Sequence, residues 1–383
     1  MSSVERRSLL IVLYATVFLI SMAIGTAMML MPVEANGMGA SLLEIGLMGT
    51  AAAAGYTLMT FVAGSLLDRL EKLRLYLAFN LFATLGLATL FYAGDLAGLW
   101  VARIMIGLAG GAFWTSAGAL TADLSPPELL THAIGRYNLS WIVGFTIGPL
   151  FGGAIADIFG FSALWAILIA IMLVGVGLNA FALIPKIRLS SSSKNIKFDF
   201  DAVYGLRYAY ITMIPYALGL GIYFYILPGY MADIGISATA IGLLLAASSA
   251  VKGAGFYYSE RIVSFGTRRG LVLGSIMIAA SLVAVGYAKT EAAFILPLVL
   301  FGASNGLIEP LLMNSIAHGS PKASLGTTMG VYEGMYGAFT CISPIAAGYF
   351  TEAFSASTIY VTLAAISFLM IPMARKIANE KEV

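Results

Sequence analysis

Residues 135–153 read GRYNLSWIVGFTIGPLFGG, and residues 330–348 read GVYEGMYGAFTCISPIAAG. At an offset of 195, Gly135, Tyr137, Pro149 and Gly153 return as Gly330, Tyr332, Pro344 and Gly348. Outward from this stretch, the same offset carries Gly107, Gly111, Ser125 and Pro126 to Gly302, Gly306, Ser320 and Pro321. An offset of 196 carries Pro32, Gly39, Ser41, Ile45 and Gly46 to Pro228, Gly235, Ser237, Ile241 and Gly242. Identity between the halves is otherwise low. The matches are mostly Gly and Pro, which permit close approach of helices and fix bends, and each falls at the same place in the same hydropathy rhythm. The chain therefore reads as two parallel copies of one unit.

Hydrophobic residues make up 60% of the sequence and charged residues 10%, with a mean hydropathy of +0.92. Soluble domains carry about 25% charged residues, so the partner of this chain is expected to be a lipid bilayer, and no appended soluble domain of ordinary composition is expected. A span needs roughly 20 apolar residues. Twelve segments qualify: 9–31, 42–67, 75–93, 97–121, 136–156, 161–184, 204–228, 238–259, 270–288, 292–316, 326–350 and 355–373. The expected architecture is an all-α membrane protein of 12 transmembrane helices in two parallel six-helix bundles, residues 1–184 and 204–383. The polar stretch 185–203, with Ser190–Ser193, Lys194, Lys197, Asp199 and Asp201, reads as a flexible linker between them. Basic residues precede the first apolar run and no small-residue cleavage site closes it, so it reads as a retained span and not a signal peptide.

Positive residues stay cytoplasmic. With twelve spans, both termini, the even-to-odd loops and the linker share one side, which receives 18 of the 21 Lys and Arg. The opposite loops hold Lys289 among acids such as Glu44, Asp95, Asp157, Asp233, Glu291 and Glu352, and Arg103 and Lys252 lie inside spans. An error of one span would scramble this segregation. The protein is expected to be a multi-pass protein of the cell membrane with both termini cytoplasmic.

Between spans 2 and 3 the chain reads Gly64-Ser-Leu-Leu-Asp68-Arg69-Leu-Glu71-Lys72-Leu-Arg74. This resembles the signature loop of the major facilitator superfamily, G-x-x-x-D-R-x-G-R-[KR], with Glu71 where the family usually has Gly. A degenerate second copy follows as Glu260-Arg261, Gly266, Arg268 and Arg269. An acid at the inner end of helix 2 can face the positive N-terminus of a helix that starts on the same side. The resemblance implies that this helix is span 11 and that the contact latches a cytoplasmic gate. The residues alone also fit a solvated turn that obeys the charge rule. Span 5 contains Gly144-Phe-Thr-Ile-Gly148-Pro149-Leu-Phe-Gly152-Gly153, which matches the family's G-x-x-x-G-P-x-x-G-G motif, found in antiporters more than symporters. Small residues four apart also let helices pack closely.

Arg103 lies within span 4, four residues before Gly107, in a stretch similar to the family's R-x-x-[Q]-G motif. An arginine inside a span costs about 2.5–3.5 kcal/mol on insertion scales. It is either a cavity residue or an anchor that snorkels outward over roughly two turns. Lys252, Glu309 and Glu333 occur inside spans 8, 10 and 11 of the second copy only, opposite the neighbourhoods of Thr60, Trp114 and Asn138 in the first. Each lies about eight or nine residues from its cytoplasmic end, roughly 12–14 Å at 1.5 Å per residue. One depth and opposite charges predict a paired cluster. Two acids sharing one lysine need not both be ionised, which serves proton coupling as well as a static salt bridge.

By resemblance to the family, spans 1, 4, 7 and 10 line a cavity. They offer Met22, Phe113, Trp114, Tyr216 and Tyr223, with Asn305 and Asn314 as polar points, a wall suited to a partly apolar organic solute. The resemblance implies a secondary active transporter that exports a small amphiphilic solute against H+ by alternating access, working as a monomer. The alternatives are a proton-coupled importer or facilitator of a small metabolite and, further off, an intramembrane enzyme or sensor. Against an enzyme, the two histidines, His132 and His318, fall in loops, and no H-E-x-x-H, P-loop or nucleophile elbow occurs. The single cysteine, Cys341, excludes an internal disulfide and a Cys-based metal cluster. No metal, cofactor or nucleic acid is expected. A reporter fused after Val383 should be active only in its cytoplasmic form, and an external signal would reverse the topology.

Overall fold

Apolar runs bounded by Gly, Pro and short polar turns fold as helices, because a backbone in lipid has to satisfy its own hydrogen bonds. A computed structural model of the chain describes residues 3–67, 69–126, 129–183, 199–321 and 324–377. Among these residues no strand occurs. The first half comprises α1 (Ser3–Gly37), α2 (Leu42–Leu67), α3 (Lys72–Phe91), α4 (Leu96–Leu124), α5 (Leu130–Phe159) and α6 (Phe161–Leu178), which runs into a π-helical turn at Asn179–Leu183. The second comprises α7 (Phe200–Gly205), α8 (Arg207–Tyr225), α9 (Leu227–Asp233), α10 (Ala238–Tyr257), α11 (Ser259–Phe265) and α12 (Thr267–Tyr287). It continues through α13 (Glu291–Gly319), α14 (Leu325–Ala353), α15 (Ala356–Ser367) and α16 (Met370–Ala374).

Ten helices among the described residues are long and apolar enough to cross a membrane, and eleven if α8 and α9, bent by 47°, count as one span. The helix predicted as span 11, α14, has the length at 29 residues but carries Glu333 and several hydroxyls, and is not among the eleven. The chain is a multi-pass membrane protein. Its packing divides it into two units. One holds Met1–Ser41, Ala51–Ser193 and Met231–Ala246, and the other holds Leu42–Thr50, Lys194–Tyr230 and Ala247–Val383. In the first, α1 packs on α5, α6 and α4, and α3 packs on α4 and α6. In the second, α12 packs on α13 and α15, and α8 on α14.

The repeat read from sequence recurs in the packing, glycine by glycine. Gly107 leaves no room for a Cβ against the backbone of Ala52, and Gly302 none against Ser248. Gly111 abuts Tyr56 as Gly306 abuts Lys252, Gly153 abuts Ala238 as Gly348 abuts Leu42, and Gly242 abuts Pro149 as Gly46 abuts Pro344. The Tyr14 hydroxyl donates to the Ala133 carbonyl at 3.2 Å, and the Tyr210 hydroxyl to Thr328 at 3.0 Å. These pairs align Lys252 with Tyr56, one turn from the expected neighbourhood of Thr60. The reason is that the Gly306 backbone rests on Lys252 itself.

Gly153→Ala should therefore lower stability by about 1–3 kcal/mol through overpacking, read as thermal unfolding in detergent. Gly177→Ala, whose added carbon meets nothing within 4 Å, should be neutral or slightly stabilising. Equal effects at both positions would mean that the Gly153 contact does not set the helix spacing.

Candidate functional site

Lys252 on α10 and Glu309 on α13 meet because the two backbones touch one turn away. A Cβ on Gly255 would fall 2.6 Å from the α-carbon and carbonyl oxygen of Gly306. Pro310 cannot donate to that carbonyl, so the helix is open there and Gly255 covers the oxygen. At this crossing Lys252 Nζ lies 2.9 Å from Glu309 Oε2, with side chains 12% and 19% exposed. The hydroxyl of the fully buried Tyr216, on α8, donates to the same Oε2. The ammonium also stands 5.6 Å from the ring centroid of Phe256. A carboxylate that accepts from a cation and a phenol is a strongly held acceptor. Three helices of one unit thus converge on a single oxygen.

Glu333, expected in the same cluster, makes no ion pair with Lys252 among the described residues. It is exposed on α14. Three residues on, Tyr336 brings its ring to 6.3 Å from that of Tyr216. Of the expected triad, Lys252 and Glu309 form the ion pair, and the Tyr216 hydroxyl joins them at Oε2.

Arg103 is buried and not snorkelled: its Nη1 donates to the Met28 carbonyl at 2.9 Å. Pro32 within α1 has no N–H for that carbonyl, so the guanidinium supplies the missing donor. Of the signature loop, Asp68 lies outside the described residues. Gly64 meets open space, Arg69 is exposed, Lys72 pairs with Asp123 at 2.5 Å, and Arg74 pairs with Glu71 at 2.8 Å. In α5, Gly144, Gly148 and Gly152 face Ser21, Met22, Thr26 and Leu30 of α1, while Gly153 faces α10 and the Pro149 carbonyl faces Gly242. The motif is a seam with a different helix on each side.

The cavity candidates divide. Met22, Trp114 and Asn314 are half-buried. Phe113, stacked on Tyr76, and Tyr223, stacked on Phe301, are core residues. Asn305 is buried too and turns its amide back to the Phe301 carbonyl at 2.6 Å. Residues not singled out in the sequence also matter. Trp141 and Phe145, four apart on α5, complete an aromatic group with Trp114, with ring centroids 5.6–5.9 Å apart. Glu34 is buried and accepts from Trp165 Nε1 at 3.0 Å. Asp157 caps the start of α10, accepting from the Ala238 and Thr239 amides at 3.2 and 2.7 Å, and Glu352 accepts from the Leu43 amide at 2.8 Å at the start of α2. The signal for these caps was an acid four residues after the last glycine of the span in both copies.

The sequence model described as Major Facilitator Superfamily matches residues 13–201 and 209–382. Over 151 residues the chain is 30% identical to an uncharacterized MFS-type transporter of Methanocaldococcus jannaschii, covering 39% of each chain. Over 148 residues it is 28% identical to the quinolone resistance protein NorA of Staphylococcus aureus, covering 38% of each. The chain thus spans well under half the length of the curated relatives it matches. Among solved structures, a bacterial homolog of the human lysosomal transporter Spinster is similar with a TM-score of 0.80 at 14% identity, over 99% of this chain and 98% of that one.

Lys252→Ala strands a carboxylate in the membrane and should cost about 3–5 kcal/mol, whereas Lys252→Ala with Glu309→Gln should recover most of the loss. Unfolding in detergent reads both. Additive losses would show that the two side chains are not coupled.

Proposed function

Because the chain belongs to the Major Facilitator Superfamily, we propose that it is a proton-coupled secondary transporter that exports a small amphiphilic organic solute across the cell membrane by alternating access. The observation that carries this reading is the Lys252–Glu309 ion pair with Tyr216 as its third member, set beside a proline-opened turn inside the spans. A proton on Glu309 removes the charge that holds Lys252 and weakens the bond from Tyr216, so one protonation loosens α10, α13 and α8 together. Glu333, exposed and three residues from Tyr336, is the acid through which the proton enters this group. Arg103 serves the same cycle indirectly by keeping α1 continuous past Pro32.

The complete glycine–proline motif of α5 and the similarity to a quinolone resistance protein both favour export and an amphiphilic solute. The half-buried Trp114 and Trp141, with Met22, offer that solute an apolar surface. Asp68 latches the cytoplasmic side in this reading, and the Asp157 and Glu352 caps act at the other ends of the helices.

Protein reconstituted in proteoliposomes tests the proposal. Under an imposed pH gradient, Glu309→Gln should abolish uphill movement of a fluorescent amphiphile and leave solute exchange at equilibrium largely intact. Uphill transport that survives Glu309→Gln but not Glu333→Gln would move the coupling site to Glu333. Survival in both variants would sink proton coupling at this group.

A further inference from the structure

A cavity of about 600 Å³ lies in the first unit between α1 and the α4–α5 connection, with Arg6, Arg7, His132 and Arg136 on its polar side and Leu10 and Leu129 on its apolar side. Among the described residues no carboxylate pairs with these three arginines. Of the nearest acids in sequence, Glu128 lies outside the described residues, and of Glu5 only the backbone is described.

The second copy of the fold shows what this corner does when it is not cationic. The Tyr14–Ala133 bond here and the Tyr210–Thr328 bond there frame the same place. At the offset of 195, His132, Arg136 and Leu129 become Thr327, Val331 and Ser324. There the chain supplies its own anion: Asp199 accepts from the Ser324 hydroxyl at 2.5 Å while capping α7. One corner is closed internally by a carboxylate. At the other, guanidinium groups line a volume of about 600 Å³.

We propose that this cavity binds a phosphate-bearing anion, with the guanidinium groups on the phosphate and the apolar side against its glycerol or acyl portion. Arginine matches phosphate oxygens bidentately and does so while half-desolvated. The volume lies within the 300–1,000 Å³ range of small-molecule sites and exceeds what a bare phosphate fills. A lipid headgroup and a soluble phosphate share this chemistry, and basic pockets beside membrane helices bind anionic headgroups. The inference does not depend on the transport reading.

The full chain in detergent would be titrated with inorganic phosphate against chloride at equal ionic strength, which removes general screening. In parallel, nanodiscs of phosphatidylcholine alone would be compared with nanodiscs containing phosphatidylglycerol, with unfolding temperature and lipid retained in native mass spectrometry as readouts. Arg136→Val, which installs the residue native to the second copy, and Arg136→Gln should each weaken binding by about tenfold, the worth of one charge-assisted hydrogen bond. Arg268→Gln, in the other unit, should leave it unchanged. A response to phosphatidylglycerol alone identifies the anion as lipid, and a response to inorganic phosphate identifies a soluble ligand. If neither probe separates the wild type from the Arg136 variants, the proposal is overturned.

Discussion

A proline inside a membrane helix leaves the carbonyl four residues earlier without a donor, and hydrocarbon offers no water to replace it. Three such carbonyls are met by neighbouring groups, and their repair places the residues beside them. Pro32 strands Met28, and the Arg103 guanidinium takes the oxygen. Pro310 strands Gly306, and the α-carbon of Gly255 closes over it. Pro344 strands Thr340, whose oxygen meets Gly221 so closely that a Cβ there would lie 2.6 Å away. C–H···O contacts of this kind are individually weak. They require backbones to touch, however, and that fixes what hangs beside them. Lys252 stands three residues before Gly255 and Glu309 three after Gly306, so the ion pair follows from the repair.

The same argument explains where the two copies diverge in shape. Pro32 and Pro228 are equivalent, yet α1 runs unbroken through Pro32 while the second copy breaks at Ile226 and bends by 47°. At the place of Arg103 the second copy has Leu298, a buried residue with no donor to give Phe224. The helix ends there instead, and Pro228 sits in the first turn of α9, where a missing N–H costs nothing.

Sequence alone carried the helical plan far, because hydropathy and the spacing of Gly and Pro are both one-dimensional signals. Ten of the predicted spans correspond to long apolar helices and the seventh to the bent pair, with ends such as those of α4 and α13 within a few residues. The break at Ile226 was not legible, since it depends on a residue 72 positions away. The site was legible as charges in the wrong solvent and less so as geometry. Lys252 and Glu309 announced themselves by their burial cost. Tyr216 was legible as a cavity-wall candidate but not as a partner of the pair, because a tyrosine in an apolar span fits filler, belt or ligand equally well until the rotation of α8 is known. Asn305 misled for the converse reason: its amide nitrogen donates back to the preceding turn of its own helix and does not present a free polar point.

What the copies share is geometry, and where they differ is chemistry. At the repeat offset, Trp114, Trp141 and Phe145 correspond to Glu309, Tyr336 and Thr340. In the first copy these places form an aromatic group, Trp141 packing edge-to-face on both Trp114 and Phe145. In the second, Glu309 holds a lysine from the position of Tyr56, and Tyr336 stands by Tyr216. Duplication alone would give two like sites. Substituting acids and a lysine into one copy while the other keeps indoles separates an apolar surface from an ionisable one on a common frame. Neither group has to compromise its surroundings for the other: indoles need an apolar, packed wall, whereas a carboxylate inside the spans needs hydrogen-bonding partners and a cation beside it. The glycine contacts are held in both copies because both depend on the same helix spacing. The positions between those glycines were then free to diverge.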